Sequence, residues 1–243
     1  MPGIPANLTT MPTVTRLYLI RHGATMLTAE DRFAGATNVA LSSEGRAQAA
    51  ALADRLKDVE LDAVYASPMD RTMETASILA TPHQLAVQPV DGLREISHGR
   101  WEGMTRAEVL AAFPEEVAAW DEDPYTFAPA GGESGLAVTA RALPPLMEIY
   151  AAHRGGHVAM VSHKATIRLV ISSMLGFDPR RYRDNLDQSP CGLNIVDVRG
   201  PTCFRLILFN DTSHYTHEAG GIAAMPGNRL SPHWSELIPQ ATP

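Results

Sequence analysis

Short apolar runs that alternate with helix-length segments constrain the fold of this chain more than any other feature. The runs lie at 15–20, 62–66, 86–90 and 157–162. The first two and the last lead into stretches with helical spacing or helix-start signals. Glu44–Lys57 carries apolar Ala47, Ala51, Leu52 and Leu56, with Ser42 or Ser43 as N-cap. Ser67-Pro68 reads as an N-cap followed by proline at the first helical position, opening a helix to about Ala80. Lys164–Leu175 follows the fourth run. This alternation predicts an α/β fold with three layers, a mostly parallel central sheet with helices on both faces.

The rest of the chain fits that plan. Thr105-Arg106-Ala107-Glu108 is a capping box before a short helix, and Pro114 starts another that ends near Asp121. A long helix is predicted over Ser134–His153, with a kink at Pro144-Pro145. Gly192–Val198 and Cys203–Phe209 read as a hairpin joined by Arg199-Gly200-Pro201-Thr202. Residues 1–13 are expected to be a flexible leader, and 14–243 a single domain with an irregular tail from about 210.

Composition excludes several classes. The chain has 243 residues, 45% of them hydrophobic and 19% charged, which suits a globular protein with a substantial core. A net charge of −7 argues against nucleic acid or an anionic membrane as partner, while leaving room for a few local cations in a pocket. The first thirteen residues have no basic and apolar signal-peptide pattern, and no run is long enough to span a membrane, so a cytoplasmic protein is expected. Cys191 and Cys203 flank the hairpin, where a bridge is geometrically feasible, and are read as reduced thiols.

In open sheets of this kind, sites form beyond the carboxyl ends of the strands. Four such ends carry polar groups here: Arg21-His22, Ser67 with Arg71, Glu95 and His163. Together they suit phosphoryl transfer. Arg21 and Arg71 are candidate cations for the nonbridging oxygens, because a guanidinium fork donates two hydrogen bonds and stays charged. His22, followed by Gly23, is a candidate nucleophile. Glu95 is a candidate donor of the proton that a leaving alkoxide requires. Each residue alone has a plain structural reading, as a surface charge or a hydrogen-bonded histidine. Only their joint placement points to chemistry.

The segment Leu17-Tyr18-Leu19-Ile20-Arg21-His22-Gly23 resembles the signature of the histidine phosphatase, or phosphoglycerate-mutase-like, superfamily. The resemblance continues through Arg32-Phe33-Ala34-Gly35, Gly45-Arg46-Ala47-Gln48-Ala49, Ser67-Pro68-Met69-Asp70-Arg71, Leu93-Arg94-Glu95-Ile96, Gly131-Gly132-Glu133-Ser134 and Val161-Ser162-His163. It implies that His22 becomes a phosphohistidine. It further implies that Arg21, Arg71 and His163 hold the phosphate and that Glu95 gives and takes the proton. By the same resemblance Thr28, Ala34 and Gly35 are substrate-binding positions. It implies no metal and no organic cofactor, and a small phosphorylated metabolite as partner.

The run Ala24-Thr25-Met26-Leu27-Thr28 lacks the Trp and Asn typical of the glycolytic mutases, so the resemblance implies a phosphomonoester hydrolase of the broad-specificity branch. A phosphoglycerate-type mutase is the alternative, and a non-catalytic phospho-ligand-binding domain a third. Two positions depart from the family pattern. His98 stands where many relatives are apolar, and Lys164 where many have glycine. Both are carried as substrate-binding candidates. His214, His217 and Glu218 lack a placed third ligand and read as loop residues rather than a metal site. The tail either packs over the pocket or builds a homodimer interface.

Overall fold

A computed structural model describes residues 13–26 and 32–215. The leader to residue 12, Thr28 and the tail with His217 and Glu218 lie outside the described residues. Six strands form one sheet: β1 (Thr15–Arg21), β2 (Ala63–Ala66), β3 (Val87–Pro89), β4 (His157–Ser162), β5 (Leu193–Gly200) and β6 (Cys203–Asp211). Their order is β3-β2-β4-β1-β5-β6. Only β5 runs against the others, so the sheet is mostly parallel.

Seven α-helices are named in chain order: α1 (Ser43–Leu56), α2 (Asp70–Ala80), α3 (Arg106–Ala112), α4 (Pro114–Glu122), α5 (Gly135–Ala152), α6 (Lys164–Leu175) and α7 (Tyr182–Asn185). The period-two geometry of the central strands explains the layers. Leu17 and Leu19 of β1 and Val158 and Met160 of β4 pack with Ala142, Leu146 and Ile149 of α5 and Ile167 and Ile171 of α6. Tyr18, Ile20, Ala159 and Val161 point the other way, onto Leu52 and Leu56 of α1 and Ala76 and Leu79 of α2. Strands covered on both faces must be apolar at every position, which is why the runs show no alternation in the sequence.

Several boundaries shift from the sequence reading. The helix expected to open at Ser67-Pro68 begins at Asp70, with Met69 as its N-cap and no side-chain cap. The Ser67 hydroxyl is engaged elsewhere, with His163. The helix over Pro144 and Pro145 stays one element through both residues. The hairpin turn is shorter than expected, because β5 continues to Gly200 and leaves only Pro201-Thr202 between the strands. β6 also continues past 210, to Asp211. The capping box forms as predicted, with Thr105 Oγ1 accepting from Glu108 N at 3.2 Å and Glu108 Oε2 from Thr105 N at 2.7 Å. Cys191 is buried, Cys203 is exposed, and neither is bridged. Among the described residues, no helix is long and apolar enough to cross a membrane.

A satellite core hangs beside the sheet. Phe33, Trp101, Val109, Val117 and Trp120 are buried together under α3 and α4. Trp101 and Trp120 meet edge to face with centroids 5.5 Å apart. Both indoles therefore anchor this lobe.

Candidate active site

Strand register assembles the site. Arg21 pairs with Ser162, and Ala66 with Val161, so β1, β4 and β2 end level with one another. The next residues, His22, His163 and Ser67, therefore emerge side by side at the carboxyl edge, where neighbouring strands stand about 4.8 Å apart. The rings of His22 and His163 meet edge to face at 5.2 Å between centroids.

His22 is fixed on every side. Its N–H donates to Ser162 O at 3.0 Å, and its carbonyl accepts from Cys191 N at 3.2 Å. Cys191 takes a positive φ of 49° to make that reach. Imidazole Nδ1 lies 2.7 Å from Gly23 O. A carbonyl oxygen can only accept, so Nδ1 carries the proton and Nε2 keeps its lone pair. Desolvation, and then the charges of Arg21 and Arg71, hold the imidazole pKa well below its ordinary value. The ring is neutral at physiological pH, as a nucleophile must be.

The Gly23-Ala24 turn rests directly on the start of α1. Gly23 N donates to Thr75 Oγ1 at 3.1 Å and Ala24 N to Gln48 Oε1 at 3.0 Å. Ser42 caps α1, accepting from Gly45 N at 3.1 Å, and donates to Ala24 O at 3.1 Å. Thr75 and Gln48 are buried polar residues whose role is invisible in the sequence, because their partners are backbone groups far along the chain.

The cations are also built in. Arg71 is 2% exposed, and its guanidinium donates to Thr37 O at 2.8 Å and Gly35 O at 2.9 Å. Gly35 presents that carbonyl from a left-handed φ of 41°, which favours glycine. Ala34 is half-buried in the same loop. Arg21 donates to Gln188 O at 2.7 Å, and its Nε is buried without a partner among the described residues. Desolvation lowers the pKa of both guanidinium groups, although each stays charged. His163 Nε2 lies 2.8 Å from Ser67 Oγ, and its Nδ1 is buried without a partner among the described residues. Its pKa is also held well below the ordinary value, by desolvation and then by the neighbouring His22, Arg71 and Arg21. Unpaired buried donors beside a neutral histidine are what a bound anion would satisfy.

Glu95 sits at the amino end of α6. Its carboxylate accepts from Ala165 N and Thr166 N, both at 3.2 Å, while the Thr166 hydroxyl donates to Arg94 O at 2.6 Å. A helix amino terminus is a favourable place for a carboxylate. The loop that carries Glu95 is stapled by Arg141, which donates to Gly92 O, Arg94 O and Glu95 O at 2.8, 2.9 and 3.0 Å. Glu133 grips the other side of the Arg141 guanidinium at 2.8 and 2.9 Å and accepts from Ser97 N at 3.0 Å. Arg141 carries no sequence signal, since it lies mid-helix and the acceptors it takes from the Glu95 loop are carbonyls. Beside Glu95 opens a cavity of about 350 Å³ lined by Asn38, Met69, Arg94, Ser97 and Arg141 among others.

The structure separates the two departures from the family pattern. His98 stacks edge-on against Phe33, with centroids 4.8 Å apart, and faces Trp120. Desolvation brings its pKa to about 4, so it is a neutral wall of the aromatic lobe. Lys164 instead reaches Asp187, with Nζ 3.6 Å from Oδ1. No group of three or more His, Cys, Asp or Glu side chains able to hold a metal ion occurs among the described residues.

Comparison with known proteins gives the same reading. Phosphoserine phosphatase 1 of Hydrogenobacter thermophilus is 34% identical over 169 residues, covering 70% of this chain and 80% of that protein. Glucosyl-3-phosphoglycerate phosphatase of Mycolicibacterium vanbaalenii is 35% identical over 170 residues, covering 67% and 75%. The native structure of a mycobacterial glucosyl-3-phosphoglycerate phosphatase superposes with a TM-score of 0.75 at 29% identity, over 81% of this chain and 99% of that one. These relatives are phosphatases, in keeping with a hydrolase rather than a mutase. Residues 17–212, which include every assembled group above, match the histidine phosphatase superfamily (branch 1), and the chain belongs to that superfamily.

Proposed function

We infer that this phosphatase hydrolyses a small phosphomonoester through a phosphohistidine on His22. The observation that carries the reading is the His22 tautomer, with Nδ1–H given to Gly23 O and Nε2 left as the free nucleophile. His163 packs edge to face on that ring and the charges of Arg21 and Arg71 act on it, which supports reading these three as the donors a phosphoryl group needs. Nε2 attacks phosphorus, the P–O bond to the alcohol breaks as the N–P bond forms, and the leaving alkoxide takes a proton from the Glu95 carboxyl. Water then attacks the phosphohistidine and passes a proton to Glu95, and the N–P bond breaks to release phosphate. The alcohol half would sit against Glu95, because the acid must reach the leaving oxygen.

Glu95→Gln tests the acid role. On kcat/KM, which reports steps up to phosphoenzyme formation, it should slow alkyl phosphates by on the order of 10²–10⁴. p-Nitrophenyl phosphate should slow far less, since nitrophenolate leaves without a proton. Equal losses on both substrates would remove Glu95 from that role.

A further inference from the structure

Lys164 opens α6, with His163 as the N-cap. A lysine there opposes the helix dipole, so a reason beyond helix stability is required. Its neighbours supply one. Arg168, one turn along α6, donates to Asp187 Oδ1 at 2.8 Å, the same oxygen that faces Lys164 Nζ at 3.6 Å. That oxygen also accepts from Gln188 N at 2.8 Å, and the Gln188 carbonyl holds Arg21 at 2.7 Å. The cluster therefore joins the phosphate pocket at both ends, through His163 and through Arg21.

Charge in the cluster does not balance. Lys164 and Arg168 share the one carboxylate of Asp187, and nearby Arg21 adds a third positive charge, which feels Glu95 ahead of Asp187. The Arg168 side chain is 4% exposed, yet its Nε finds no partner among the described residues. Desolvation, followed by Arg168 and Arg21, pulls the Lys164 ammonium down to about 7 against the pull of Asp187. Lys164 keeps a path to solvent, with its side chain 26% exposed. One reachable ammonium backed by a buried guanidinium suits a singly charged anion better than a second phosphate.

We propose that Lys164, supported by Arg168 and held by Asp187, is a second anion site next to the phosphate pocket, and that the preferred substrates are phosphomonoesters bearing a carboxylate. This rests on the phosphohistidine reading of His22. The test compares kcat/KM for 3-phosphoglycerate and glycerol 3-phosphate, which differ by a carboxylate in place of a hydroxymethyl group. The wild-type protein is expected to favour 3-phosphoglycerate. Lys164→Met should lower that preference about tenfold, equivalent to ~1.4 kcal/mol, and Lys164→Arg should restore most of it. Lys164→Gln, which keeps a polar chain, is measured alongside and should behave as Lys164→Met does. A wild-type preference at or below one, or a preference unchanged in both neutral variants while phosphate release still depends on His22, overturns the second site alone. Release from neither substrate in a His22-dependent manner overturns the parent reading and the site with it.

Discussion

His22→Ala should abolish turnover, with kcat/KM lower by on the order of 10⁴ or more, and should leave no acid-labile, base-stable phosphoenzyme. The size of the effect follows from chemistry that no neighbour can replace. His163 stands 5.2 Å away between ring centroids, but its Nε2 is occupied by Ser67 Oγ, and no carbonyl fixes its tautomer as Gly23 O fixes that of His22. The fold should survive, because the backbone bonds of His22 to Ser162 and Cys191 do not involve the imidazole. Rapid-quench labelling with a phosphorylated substrate checks the intermediate directly. Wild-type hydrolysis by a cleanly folded His22→Ala protein would end the mechanism.

Gly45→Ala should cost stability and activity together. Gly45 lies in the first turn of α1, where alanine would ordinarily gain about 1 kcal/mol of helix propensity over glycine. Here a Cβ would overlap the carbonyl oxygen of Ala24 and lie 2.7 Å from Ala24 N. Gly23 faces the same contact from the other side, against the backbone of Gly45. Both surfaces are main chain, so neither yields by a rotamer change, and overpacking of ~3 kcal/mol should outweigh the propensity gain. For a domain of this size the net loss of ~2 kcal/mol lowers Tm by roughly 4–8 °C. The segment that moves carries Gly23 and Ala24, directly after His22. A shift of 1 Å there should cost about 10² in kcat/KM. Thermal unfolding and steady-state kinetics on the same preparation check both halves. An unchanged Tm would show that the two backbones are not in contact.

The substitution also shows where sequence reasoning stopped. Gly23 and Gly45 stand out as motif glycines, yet neither has a positive φ that would explain its identity. Their reason is an approach between segments twenty-two positions apart, which only packing reveals. Ser67 misled for a related cause. Beside Pro68 it has the local pattern of a helix cap, but a partner ninety-six positions away, His163, takes its hydroxyl and the helix starts three residues later.

The sequence by itself determined the layers and singled out the candidate residues that the fold gathers at one edge of the sheet. Strands buried on both faces need unbroken apolar runs, and a group that must meet phosphate at a strand end has few residue types to choose from. His22, Arg21, Arg71, Glu95 and His163 were legible for that reason. Tertiary structure decided how they are held. It set the His22 tautomer through Gly23 O, fixed Arg21 and Arg71 on backbone carbonyls, and held the Glu95 loop through Arg141. It also sent His98 into the aromatic lobe and Lys164 to Asp187, although the sequence offered both as substrate-binding candidates. Carbonyl acceptors are the same at every position of a chain, so sequence cannot mark which of them a side chain will find; only the folded backbone brings the pair within 3 Å.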